Sequence, residues 1–150
     1  VCSSDLGGVT GTVKEIGLFT TAINTPDNVL TMVGNNKIFG DNIQNFTHNP
    51  FRRVELKAQL SGAADYQAAI ALLKQRVAAI PNVLGEQPVD VEILEFNLVG
   101  PVLAVRPYCH NDHYWQVYFD TNKVIKDALG ADFPAPMPAQ TVIVQQSAGA

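Results

Sequence analysis

A chain of 150 residues has room for one ordinary domain or two small ones, and 47% hydrophobic against 16% charged residues excludes a disordered chain. The net charge of −4 argues against nucleic acid as the main partner, because phosphate recognition needs clustered Lys and Arg and the only basic pair is Arg52-Arg53. No apolar run approaches the roughly 20 residues of a membrane-spanning helix, and Cys2 and Cys109, far apart, fit a reducing compartment better than a disulfide framework. The opening Val1–Leu6 reads as a non-native scar, the translation of a sequencing-adapter end, and is set aside from the fold, so that native sequence begins at Gly7.

Residues 7–48 read as a β domain. Val9–Ile16 and Phe19–Thr25 carry β-branched residues at strand spacing. Pro26-Asp27-Asn28 is turn chemistry, Val29–Val33 is a third strand, and Gly34-Asn35-Asn36 breaks it. A helical turn is expected over Lys37–Asp41, then a closing strand over Asn42–Phe46. Short strands joined by tight turns suggest a small barrel.

Asn49-Pro50 marks a boundary to a second domain over residues 49–132. Arg52–Leu60 alternates strictly, with Val54, Leu56, Ala58 and Leu60 on one face. Asp65 is placed to cap a helix whose apolar stripe is Tyr66, Ala69, Ile70, Leu73, Val77 and Ile80, and Pro81 stops it. Val89–Leu98 changes phase, which a bulge near Leu94-Glu95 reconciles. Gly100-Pro101 turns into a strand over Val102–Cys109. A second helix is expected to open at Asp112, carry Trp115, Phe119, Asn122, Ile125 and Leu129 along one face, and end with Gly130 as cap. The order β-α-β-β-α is that of a ferredoxin-like, split β-α-β domain. Residues 133–150 comprise a Pro-rich link, Phe133–Pro138, a short apolar strand, Thr141–Val144, and a tail. That strand fits either the fourth position of its own sheet or an edge offered to another chain.

Chemistry-bearing clusters are few. Cys109, His110 and His113, with Asp112, are metal-ligand types, yet Cys-His-x-x-His is not a standard zinc spacing and no second ligand pair exists. A strand end, a loop and an Asp112 cap account for the same residues. A Cys109/His113 nucleophilic pair lacks an orienting group and an oxyanion site. Asp90 and Glu92 share a strand phase and fit a solvated sheet face, and there is no phosphate-binding or dinucleotide fingerprint. Trp115, Tyr118 and Phe119 are read as core or subunit contact. No catalytic residue, cofactor or metal is therefore assigned, and the chain is not read as an enzyme.

Four stretches, in order, carry a family likeness: Gly8–Thr21; Thr25–Asn28 through Gly34–Ile38 to Asn42–Phe46; Tyr114–Asp120 through Lys126; and Phe133-Pro-Ala-Pro136. They resemble the cytoplasmic C-terminal region of the small-conductance mechanosensitive (MscS) ion channel family, with Gly34 standing where that family usually has Pro. The resemblance implies an Sm-like β-barrel followed by a ferredoxin-like domain, in a homoheptameric channel of the bacterial inner membrane, this region facing the cytoplasm. It implies membrane helices upstream in contact with the bilayer, opening by tension, and release of ions and small solutes on hypo-osmotic shock. It also favours Thr141, Val142, Ile143 and Val144 as an interchain strand. Portal-lining residues are expected around the domain boundary, with Asn45, Arg52 and Arg53 as candidates. A soluble nucleic-acid or small-ligand binding module is the alternative, disfavoured by the acidic balance.

Overall fold

The computed structural model describes residues 3–137, in two compact units that divide between Arg52 and Arg53.

The first unit is built on one antiparallel sheet. Its strands are β1 (Ser3–Leu6), β2 (Val9–Ile16), β3 (Thr20–Asn24), β4 (Leu30–Gly34) and β5 (Ile43–Asn45), in the order β4-β3-β2-β1-β5. Ser3–Leu6, set aside above, takes a place in this sheet as β1. Gly7 and Gly8 hold φ of 59° and 82°, the tight two-residue hairpin that glycines favour, so β1 folds back onto β2 and buries Leu6. Leu6 joins Ile23, Val33 and Ile38 in a small core flanked by Val9 and Val13. The helical turn α1 spans Asn35–Phe39, two residues earlier than expected, and the Asn35 side chain at its start donates to the Gly17 carbonyl of the β2–β3 turn. The expected closing strand appears as β5 and pairs with β1, so among the described residues β4 and β5 are the sheet's edges.

The expected strand over Arg52–Leu60 is interrupted: β6 (Phe51–Arg53), which spans the division, is separated from β7 (Leu56–Gln59), the first strand lying wholly in the second unit. Val54 lies in the gap, its N–H donating to the Pro107 carbonyl at 2.9 Å. The predicted face nevertheless holds, since Val54, Leu56, Ala58 and Leu60 are all buried. α2 (Tyr66–Ala78) opens on Asp65, whose Oδ1 accepts from the Gln67 and Ala68 N–H groups at 3.0 and 3.2 Å. It buries Ala69, Leu73 and Val77 but leaves Tyr66 exposed at the helix start. β8 (Asp90–Phe96) shifts register between Ile93 and Glu95, as its phase change required. β9 (Pro101–Arg106) and β10 (Tyr108–His110) divide at Pro107, which has no N–H to offer a ladder. The sheet β7-β9-β8 is antiparallel throughout, so β7 and β8 run parallel with β9 between them.

Two expectations about the last helix need correction. Asp112 does not cap it: Asn111–His113 form a 3-10 turn, and α3 runs over Tyr114–Asp132 with His113 in the cap position. Gly130 lies inside this helix, which ends in extended backbone at Phe133. The inward face is also rotated by about one residue. Val117, Thr121 and Ala128 are buried, while Trp115 and Phe119 are 63% and 55% exposed. Tyr114, Tyr118, Val124, Ile125 and Leu129 pack at the margin of the core. Apolar periodicity could not choose between two adjacent stripes, and the larger rings occupy the outer one.

Candidate functional site

The portal candidates are held by local partners. Asn45 ends β5, and its Oδ1 accepts from the Thr47 and His48 backbone N–H groups at 3.0 and 3.1 Å, an Asx-type turn. The Arg52 guanidinium stands 4.5 Å from the Phe46 ring centroid. Arg53 Nε donates to Glu55 Oε1 at 2.6 Å. Both arginines thus present charge at positions fixed by neighbours. Thr141–Val144 lies outside the described residues.

Strand alternation separates the Cys109–His113 cluster. Cys109 is fully buried in the second unit's core and His110 points to the exposed side. Among the described residues no group of three or more His, Cys, Asp or Glu is placed to hold a metal. With Cys109 sealed in the core, its thiol cannot meet a substrate.

Asp90 and Glu92, read as solvated carboxylates, belong to a wider charge pattern on the outer face of the sheet. Arg106, on the central strand, is in register with Asp90, and its Nη1 donates to Asp90 Oδ2 at 3.2 Å. Its Nε donates to Glu55 Oε2 at 2.8 Å. These two hydrogen bonds, Glu55 first, raise the Arg106 pKa. Further along, Lys57 on β7 reaches Glu95 on β8 at 2.8 Å, above the buried Val102 and Ala104 of β9. Lys74 of α2 reaches Glu92 at 3.1 Å.

Two connecting side chains were not singled out by sequence reasoning. Asn35 donates to the carbonyls of Gly17 and Leu18 at 2.9 and 3.1 Å and accepts from Thr21 Oγ1 at 2.8 Å. It fixes the β2–β3 turn, whose Leu18 and Phe19 stand 84% and 79% exposed. Gln116 accepts from Asn82 Nδ2 at 2.9 Å and donates to the Pro81 carbonyl and to Asp120, binding α3 to the loop after α2. Gln116 first, and Lys123 second, hold the Asp120 carboxyl below its ordinary value. The only sequence signal for either residue was polarity beside a turn or helix end.

Two concavities among the described residues are roomy. An apolar hollow of about 280 Å³ in the first unit is lined by Leu6, Val13, Ile16, Ile38, Phe39 and Ile43, among others. A groove of about 340 Å³ in the second unit lies between β7 and the end of α3, with Lys57, Ile125, Leu129, Phe133 and Pro136 in its walls. Neither gathers acid, base and nucleophile groups; the first is walled mostly by apolar side chains, while Lys57, Gln59 and Lys126 make the second mixed.

Residues 5–48 match the family model described as the mechanosensitive ion channel beta-domain. Over 144 residues the chain is 35% identical to the small-conductance mechanosensitive channel of Edwardsiella ictaluri, covering 95% of this chain and 50% of the relative. The chain belongs to the MscS family. An MscS family protein of Buchnera aphidicola subsp. Acyrthosiphon pisum is 31% identical over 125 residues, 83% of this chain and 41% of that protein. The fold of this MscS-family chain also matches a crystal structure of Helicobacter pylori MscS in its closed state, with a TM-score of 0.86 at 19% identity over 97% of this chain and 58% of that one. Arabidopsis thaliana MSL1 matches with a TM-score of 0.65 at 18% identity, over 86% and 48% of the two chains. The MscS-family chain therefore spans about half the length of the curated relatives it matches. Its β-rich architecture with a C-terminal helix is that of the MscS region it aligns with, and the family is not an enzyme class. No helix among the described residues is long and apolar enough to cross a membrane.

Proposed function

We propose that this chain forms the cytoplasmic vestibule part of a tension-gated channel in a bacterial inner membrane, releasing ions and small solutes on hypo-osmotic shock. The observation that carries the reading is the 35% identity with a small-conductance mechanosensitive channel along 95% of the chain. Nothing in the comparisons favours a nucleic-acid or small-ligand binding module.

Tension favours the state of larger in-plane area, so in this reading gating belongs to upstream membrane helices in the bilayer. The present region holds subunits in register and filters what reaches the pore through the width and charge of side openings. The finer architecture proposed is an Sm-like first unit, which rests on the family resemblance, and a ferredoxin-like second unit, supported by the strand order β7-β9-β8 with a helix between the parallel pair. The proposed partner is the chain itself, in a homoheptamer, with Thr141–Val144 as the interchain strand, which would leave no unpaired edge in a closed ring of strands. Asn45, Arg52 and Arg53 are the proposed portal residues.

The test is expression of the full-length gene in cells stripped of their own mechanosensitive channels. The expected outcome is survival of hypo-osmotic shock together with tension-activated currents in membrane patches. Normal expression with neither overturns the channel reading.

A further inference from the structure

α3 carries an aromatic face that the fold leaves uncovered. Trp115 and Phe119, one helical turn apart, stack with centroids 6.0 Å apart and planes at 27°. Tyr118 meets both edge-on, at 5.5 Å from each ring. Tyr118 is itself packed against the core, so the outer rings rest on a fixed support rather than on solvent. A rigid array of exposed rings is a surface that recognises extended proline-rich chain, because such chain loses little entropy on binding and offers flat apolar rings.

The same chain presents that ligand. Proline fixes its own φ and drives the preceding residue into extended backbone, and Phe133, ahead of Pro134, has φ −127° and ψ 152°. Pro136 imposes the same restriction on Ala135. Pro134, Ala135, Pro136 and Met137 are exposed. Within one molecule the two features cannot meet. The rings sit in the first two turns of α3 and the proline segment follows its last residue, and a helix of 19 residues is about 28 Å long.

We propose that the Trp115–Phe119 face receives the Pro134–Met137 segment of a second copy. The contact is head-to-tail, so it propagates around a ring that closes or along an open filament. It rests on the homo-oligomer reading above and deepens it by naming one pair of contacting surfaces.

Trp115 is the only tryptophan in the chain, so its emission reports this contact directly. Sedimentation and fluorescence of the intact chain are followed together across a concentration series. The expected result is a shift of emission to shorter wavelength in step with self-association. P134A/P136A, with helix content unchanged by circular dichroism, is expected to weaken association at least tenfold and lose the shift. F119A, which keeps the reporter, is expected to do the same. Association with unshifted emission overturns the contact and leaves the homo-oligomer reading standing. If the chain stays monomeric, a saturating synthetic peptide of Phe133–Pro138 is added; a shift sustains the recognition, and its absence overturns it.

Discussion

Individual side chains show where this sequence is under tension and where it is well satisfied. Thr121 is fully buried in α3, and its hydroxyl has no hydrogen-bond partner among the described residues. An unpaired buried hydroxyl costs stability, and removing it without changing shape recovers part of that cost. Thr121→Val is therefore expected to stabilise the protein by about 1 kcal/mol, read as a higher denaturation midpoint at unchanged m-value. Asp120 is the opposite case. Its folded pKa is lowered by the Gln116 and Lys123 hydrogen bonds, so its contribution is present above the ordinary aspartate value of about 3.9 and is lost as pH falls through the folded value. The difference in melting temperature between wild type and Asp120→Asn should thus shrink as the solution is acidified below that ordinary value. A difference constant with pH would sink the assignment.

The secondary-structure elements show which local signals survive tertiary context. The Asp65 cap is explicit in sequence and in geometry, because a short acceptor side chain at a helix start meets backbone donors that have no other partner. Asp65→Ala should cost about 1 kcal/mol, measured by chemical denaturation, while Asp65→Asn should cost less. The Leu94 bulge was equally legible, since the apolar phase of Val89–Leu98 cannot be kept on one face without an extra residue. α3 was legible as a helix but not in orientation. Its inward face is set by β7, β10 and α2, which it packs against, and those neighbours select the stripe of Val117, Thr121 and Ala128 over the more hydrophobic stripe of Trp115 and Phe119. Asp112 looked like a cap but lies inside a 3-10 turn, so the chain enters α3 through His113.

For the molecule as a whole, the balance of charge bears on the proposed filtering role. The second unit's outer sheet face pairs its charges: Arg106 lies between Glu55 and Asp90, and Lys57 bridges to Glu95. Exposed pairs of this kind contribute little to stability, but they neutralise a surface that would otherwise carry a strong field. Arg52 sits over an aromatic ring and Arg53 beside Glu55. Reversing both, Arg52→Glu and Arg53→Glu, is expected to shift a complete channel toward cations, seen as a moved reversal potential in asymmetric salt. An unchanged potential would remove these residues from the portal.

What the sequence determined by itself were the features written in local chemistry: the Gly100-Pro101 turn, the cap at Asp65, the stop at Pro81, the alternating face from Val54 to Leu60, and the ordered motifs of the MscS family. Each depends on a residue and its near neighbours. Only the tertiary structure decided that Ser3–Leu6 pairs into the sheet, that Cys109 and His110 part to opposite sides, that Asn35 and Gln116 tie distant turns together, and that Trp115 and Phe119 face outward. These outcomes depend on which surfaces compete for the same core, and periodicity along one segment carries no record of that competition.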